Sequence, residues 1–321
     1  MKAGLGVDIG GTNTKIILIS ERARALKEIR FKTESQKGYG RFLGALSENI
    51  NCLKKEFSRA KISGAGIGMA GDIDSDRGVL RFSPNLNGWR NIPLAADLGK
   101  KTGFRYVMEN DANMAAWGAY VLELKKKAQN VLVATLGTGI GGGLILNGRL
   151  YHGSTGSAGE IGHALIVPDG EKCACGNSGC LEAYCGSGAI VKRAFSMIKD
   201  AAAYRNRFGA GPDLKINTVA LANAADAGDK TAKKVWAETG SYLGRGFGSM
   251  ILVLNPEYLI LTGGVSKGAR HFLPSMKKAL REFRIRTPFE KVRVIVSENA
   301  DLGSYGAALY GLHYGEHVPQ K

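Results

Sequence analysis

Four residues in one short segment, His163, Cys173, Cys175 and Cys180, carry the donor atoms that a tetrahedral zinc ion takes, with a carboxylate near each end at Glu160 and Glu182. Thiolates two residues apart can grip one ion from a tight turn while a more distant imidazole closes the shell. Gly176 and Gly179 suit this arrangement, because the chain must fold back between Cys175 and Cys180 without Cβ clashes. Four protein ligands leave no open coordination position, so the expected ion holds shape rather than doing chemistry. Glu160 and Glu182 are then candidates for holding something else nearby. The competing reading is a loop of reduced cysteines beside a histidine.

Asp111 is the candidate proton acceptor. Tyr106–Asn110 reads as a short strand and the alanine-rich residues 112–126 as a helix, with Asp111 near its start. A carboxylate at such a corner can take the proton of a hydroxyl as that hydroxyl attacks a phosphoryl group, and Asn110 beside it can orient the same substrate. The alternative is that Asp111 only caps the helix. Asn85, Asn87 and Gly88, together with Glu160, His163 and Glu182, form an inventory suited to a polyol, because amide and carboxylate groups hydrogen-bond neutral hydroxyls in pairs.

An internal repeat places these residues. Residues 4–19 lie over residues 131–146 without a gap, and both read strand, glycine-rich turn, strand. Each puts an oxygen-bearing residue, Asp8 or Thr135, at the end of its first strand, ahead of a turn whose N–H groups can receive phosphate oxygens. A lone hairpin of this kind could be a plain turn; the duplication implies two related domains facing a cleft. Neither loop has the Walker pattern. Residues 137–142 contain Gly-x-Gly-x-x-Gly, but a strand follows where a dinucleotide fingerprint must open a helix. Helices are expected at 41–57, 218–226, 230–249 and 304–314, and strands at 62–69, 258–261 and 291–297. The domain boundary is expected near residue 120, giving a first domain of residues 1–119 completed by the C-terminal helix 304–321, and a second of 120–303 carrying the zinc segment 163–182.

The composition, 44% hydrophobic and 22% charged over 321 residues, describes an ordinary globular chain long enough for two cores, and the elements along it fit alternating α/β units. No signal-peptide pattern or bilayer-length apolar run occurs, so the expected place is the cytoplasm, with no membrane partner. Cys52 and Cys185, outside the clip, are expected to be buried thiols. The net charge of +16 comes from stretches such as 22–32, 125–127 and 277–293. Without interleaved aromatics or a reading helix these are solvated faces and no nucleic-acid partner is expected, attraction of nucleotides or polyphosphate being the second reading.

Asp8-Ile-Gly-Gly-Thr12, Glu109-Asn-Asp-Ala-Asn113, the glycine loop 136–143, Gly159-Glu-Ile-Gly-His163, the cysteine segment 173–182 and Leu261-Thr-Gly-Gly-Val265 together resemble the ROK family of sugar kinases and repressors, over almost the whole chain. The resemblance implies two ribonuclease H-like (actin-like ATPase) domains around a central cleft, closing over ATP and a hexose. It makes Asp111 the catalytic base and Asn87, Asn110, Glu160, His163 and Glu182 sugar contacts, His163 serving zinc as well. Asp8, Gly10, Gly11, Thr12 and Lys15 would form the first phosphate loop, with Asp8 near Mg2+; Thr138 and Gly139 would belong to the second, and Gly263 and Gly264 would lie against adenosine. The implied activity is transfer of the γ-phosphate of Mg·ATP to the 6-hydroxyl of glucose by a homodimer or tetramer. N-acetylmannosamine, N-acetylglucosamine and fructose kinases share these motifs. Polyphosphate-using relatives are expected to lack the cysteine segment. The family's repressors carry a helix-turn-helix ahead of the first loop, where this sequence has three residues.

Overall fold

A computed structural model describes residues 2–209 and 213–314, so the part of the expected last helix beyond Tyr314 lies outside the described residues. The chain divides into two compact units, one of residues 1–129, 143–159 and 301–321, the other of residues 130–142 and 160–300.

In the first unit, five strands lie in the order Ala25–Lys32, Asn13–Ser20, Lys2–Ile9, Lys61–Met69, Tyr106–Asn110, the first three antiparallel and the last two parallel to Lys2–Ile9 and to each other. Ile16 to Ile19 are fully buried on successive positions, as a strand covered on both faces requires. Helix Tyr39–Glu56 supplies Phe42, Leu46, Ile50 and Leu53 to the core. The helix Leu302–Tyr314 packs against the sheet at glycines: a Cβ on Gly6 would strike the Ser304 carbonyl oxygen, and one on Gly66 that of Ala307. A small antiparallel sheet of Asp72–Asp74, Val79–Phe82 and Arg90–Ile92 precedes helix Leu94–Thr102.

The second five-stranded sheet runs Arg149–Leu150, Ile140–Leu146, Val131–Leu136, Tyr258–Thr262, Arg293–Val296, the division between the units falling inside Ile140–Leu146. Its helices include Ser187–Met197, Thr218–Asp226, Lys230–Leu254 and Ala269–Arg281. Both expected hairpins are present, as Lys2–Ile9 with Asn13–Ser20 and Val131–Leu136 followed by Ile140–Leu146.

Three expectations need correction. The helix expected over 112–126 stops at Leu122, because Lys125 and Lys126 turn left-handed, with φ of 53° and 57°. The helix expected to end at residue 249 continues to Leu254 and stops where Asn255 takes a left-handed cap at φ 42°. Cys52 is exposed rather than buried: it falls off the face of its helix that carries Leu46, Ile50 and Leu53, whereas Cys185 is buried as expected. Among the described residues no helix is long and apolar enough to cross a membrane.

Candidate functional site

Asp111 opens helix Asp111–Leu122 directly after strand Tyr106–Asn110, so the strand-to-helix corner fixes its position. The helix cap is Asn110, whose Oδ1 accepts from the Ala112 N–H at 2.8 Å while its Nδ2 donates to the Gly71 carbonyl at 3.1 Å. Asp111 therefore is not needed as the cap, although its Oδ1 also accepts from Ala112 N–H at 2.9 Å. Burial pushes the Asp111 carboxyl above the usual carboxylate range, and the backbone N–H groups of Ala112 and Asp111 oppose that push.

Asp8 is the next-to-last residue of strand Lys2–Ile9, on the same unit. Burial first, then the nearby Asp111 carboxylate, raise its carboxyl from 3.8 to about 7, with Lys15 pulling the other way. A half-buried carboxyl whose charge is disfavoured by burial and by a second carboxylate is a donor whose strain a divalent cation relieves. Lys15 lies opposite Asp8 in the hairpin, but its ammonium is buried in an ion-pair network with Asp301 at 2.9 Å and Glu28 at 3.1 Å. The loop between them is a tight turn in which Gly10 N–H donates to Asn13 O at 3.0 Å and Thr33 Oγ1 donates to Gly10 O at 2.7 Å. Thr12 is exposed at its tip. Gly11 backs onto the polyol segment, since a Cβ there would lie 2.9 Å from the Asn85 carbonyl oxygen. In that segment Leu86 and Trp89 are buried anchors and Asn85 and Asn87 face solvent.

The second unit gathers the other expected residues. Gly137 N–H donates to Gly139 O at 2.9 Å, and Ser187 N–H donates to Gly137 O at 2.9 Å, so the turn carrying Thr138 is pinned on both sides. Gly263, at φ 96°, sits against Leu136, whose carbonyl oxygen would be 2.5 Å from a Cβ there. The loop of Gly263 and Gly264 thus flanks the start of the Thr138 turn. Glu182 reaches the same turn: its Oε2 accepts from Ile140 N–H at 2.8 Å, and a Cβ on Gly139 would collide with that carboxylate. Gly139→Ala is expected to displace Glu182 and lose this charge-assisted bond, costing about 1.5–3 kcal/mol in denaturant unfolding.

The thiols and imidazole converge as the spacing predicts. The ligand atoms of His163, Cys173, Cys175 and Cys180 all lie within 4.8 Å of one another. Cys175 Sγ is 3.7 Å from Cys180 Sγ, and Cys173 Sγ is 3.7 Å from His163 Nδ1. A tetrahedral zinc site with bonds of about 2.3 Å to sulfur and about 2.0–2.1 Å to nitrogen has edges of roughly 3.8 and 3.6 Å, so the cluster has the size such an ion needs. Gly176 and Gly179 take φ of 97° and 86° at the turns between the cysteines. His163 presents Nδ1 to this cluster and Nε2 towards Glu160 Oε2, 4.0 Å away.

Sequence reasoning missed the partners that hold these groups: Glu28 and Asp301 around Lys15, and Glu109 and His152 behind Asp111. Each pairs with a residue remote in sequence, so no local pattern carries it.

A family model described as the ROK family matches residues 4–311. The glucokinase of Thermotoga maritima is 32% identical over 308 residues, covering 95% of each chain. A xylose repressor of Caldicellulosiruptor bescii is 26% identical, covering 92% of this chain and 74% of that protein. Among solved structures, a ROK family glucokinase from Streptomyces griseus, in complex with glucose and AMPPNP, is 30% identical and matches with a TM-score of 0.81 over 97% of this chain and 99% of that one. The two-domain, actin-like ATPase fold expected from the sequence is therefore the fold of this chain, which belongs to the ROK family.

Proposed function

We propose that this chain is an ATP-dependent glucokinase, transferring the γ-phosphate of Mg·ATP to the 6-hydroxyl of glucose. The observation that carries the reading is Asp111, a half-buried carboxyl at a strand-to-helix corner, freed from capping by Asn110 and pushed towards neutrality where a base is useful. Full-length similarity to a glucokinase, and to a glucokinase structure holding glucose and an ATP analogue, supports the substrate pair.

In this reading Asp111 accepts the proton of the sugar's 6-hydroxyl. The oxygen so released forms a bond to the γ-phosphorus, the bond from that phosphorus to the β,γ-bridging oxygen breaks, and ADP leaves. Asn87, Asn110, Glu160, His163 and Glu182 hydrogen-bond the remaining hydroxyls. Asn110 keeps one amide hydrogen and one lone pair for this beyond its two bonds to backbone. The turns of Gly10 to Thr12 and of Thr138 and Gly139 offer N–H groups to phosphates, Gly263 and Gly264 flank adenosine, and Lys15 sets the field at Asp8 through its ion pairs. Mg2+ beside Asp8 supplies charge neutralisation of the phosphates. Zn2+ on His163, Cys173, Cys175 and Cys180 supplies a structural crosslink. The two compact units are read as the two domains of the kinase, working in the cytoplasm as a homodimer or tetramer.

The test is purified protein with Mg·ATP and a panel of glucose, mannose, fructose, N-acetylglucosamine and N-acetylmannosamine, with polyphosphate as an alternative donor. Glucose 6-phosphate and ADP in equal amounts are expected, with the highest kcat/KM for glucose. Failure to phosphorylate any hexose, or phosphorylation from polyphosphate alone, overturns the reading.

A further inference from the structure

Glu109 immediately precedes Asn110 and Asp111, and its side chain is buried, with the residue 2% exposed. A carboxylate there is expensive unless every lone pair it offers is used. Three elements use it. His152 Nε2 lies 2.8 Å from Oε1, Asn113 Nδ2 donates to Oε2 at 3.3 Å, and the Tyr310 hydroxyl also hydrogen-bonds the carboxylate. Asn113 belongs to the helix that Asp111 opens, and Tyr310 to the closing helix Leu302–Tyr314. One acceptor thus ties the strand end, the helix behind the proposed base and the closing helix. The hydrogen bond to Glu109 raises the His152 pKa against the opposing effect of burial.

His152 also begins a loop. Ala158 N–H donates to the His152 carbonyl at 3.0 Å, closing it, and Arg81 Nη1 donates to Thr155 O at 3.3 Å. Gly153, Gly156 and Gly159 all take positive φ in it. The loop ends where the chain leaves the first unit, between Gly159 and Glu160. A cavity of about 760 Å³ lies against Glu109, His152 and Thr155, so packing from that side does not hold the loop and the side-chain bonds must.

We propose that Glu109 and His152 are positioning residues for phosphoryl transfer: Glu109 fixes the corner that carries Asp111, and His152, through Glu109, fixes the loop that delivers Glu160. The proposal rests on the reading that Asp111 and Glu160 act on the hexose. A purely structural role would be served as well by an apolar isostere, whereas a hub of charged hydrogen bonds defines direction as well as distance.

The experiment compares Glu109→Gln, His152→Ala and His152→Gln with the parent protein in steady-state kinetics on glucose and ATP. Glutamine at 109 offers one acceptor oxygen where three donors converge, so kcat falls about 10–100-fold, the scale of a small misplacement of reacting groups. His152→Ala raises the glucose KM about tenfold, with kcat within about threefold and the ATP KM unchanged, a loss in ground-state binding. His152→Gln, whose amide can still donate to Glu109, recovers most of that KM. The His152 side chain is 33% exposed, so these two variants keep the core. Hydrogen exchange in residues 153–159 is faster in His152→Ala than in the parent. An active parent with indifferent variants overturns the proposal alone; an inactive parent overturns the kinase reading and the proposal with it.

Discussion

Asp111→Asn lowers turnover about 10²–10⁴-fold and leaves glucose affinity close to that of the parent protein. The asparagine is isosteric, and its side-chain oxygen can still accept from Ala112 N–H, the bond that Asp111 Oδ1 makes at 2.9 Å. The helix start is also held independently by the Asn110 cap. What is lost is the basic lone pair, so the loss falls on kcat and not on the calorimetric dissociation constant for glucose. A variant that turns over like the parent would show that the hydroxyl proton goes elsewhere.

The same carboxyl sets an acid limb. A general base works only when ionised, so kcat rises with pH through the Asp111 pKa and then levels. Burial lifts that pKa above the 3.8 of a free aspartate, which moves the limb towards neutrality. In Asp111→Asn the limb disappears from the residual rate, and the pH profile of kcat in the two proteins checks both sign and assignment. Asp8 responds as well: its carboxyl, at about 7, is raised in part by the Asp111 charge, so neutralising residue 111 lowers it.

How much of this was legible in the sequence depended on how locally each feature is encoded. The paired hairpins were readable because their strands are continuous apolar runs broken by glycine, a pattern that survives in Lys2–Ile9, Asn13–Ser20, Val131–Leu136 and Ile140–Leu146. The histidine and cysteine cluster was readable because its four residues fall within one short stretch. Strand Ala25–Lys32 was not: it is an edge strand whose charged residues, Lys27 with Glu56 and Arg30 with Asp301, make ion pairs to distant parts of the chain, so it passes for a solvated basic run. Asn110 was read as a sugar contact and Asp111 as a possible cap, and the structure gives the cap to Asn110, a distinction set by a φ of −60° and ψ of 148° that composition does not encode. The family resemblance puts Lys15 in the first phosphate loop, but the sequence does not show its ion-pair partners, Glu28 on the neighbouring strand and Asp301 just ahead of the closing helix. Glu109 and His152 are 43 positions apart and meet only once the fold has formed.

Removing the metal is expected to cost the enzyme its sugar before its nucleotide. Cys175→Ser takes one thiolate from a four-ligand site, and metal content should fall from about one zinc per chain to a small fraction of that, since a complete tetrahedral shell is what such sites use to hold the ion. The physical link to substrate runs through two connections. A metal on His163 Nδ1 leaves the proton on Nε2, the nitrogen directed towards Glu160, so losing the ion releases both the tautomer and the ring orientation. Cys180 is followed directly by Leu181 and Glu182, and Leu181 N–H donates to Ala164 O at 2.9 Å, so a loosened cluster frees the carboxylate that accepts from Ile140 N–H. The glucose KM should therefore rise at least tenfold while the ATP KM moves less, and the melting temperature should drop by several degrees, in line with a loss of about 1–3 kcal/mol. Elemental analysis, melting curves and two-substrate kinetics on the same preparation read all three quantities. A Cys175→Ser protein that keeps its zinc and its glucose KM would place the metal elsewhere, and with it the reason for His163 to face Glu160.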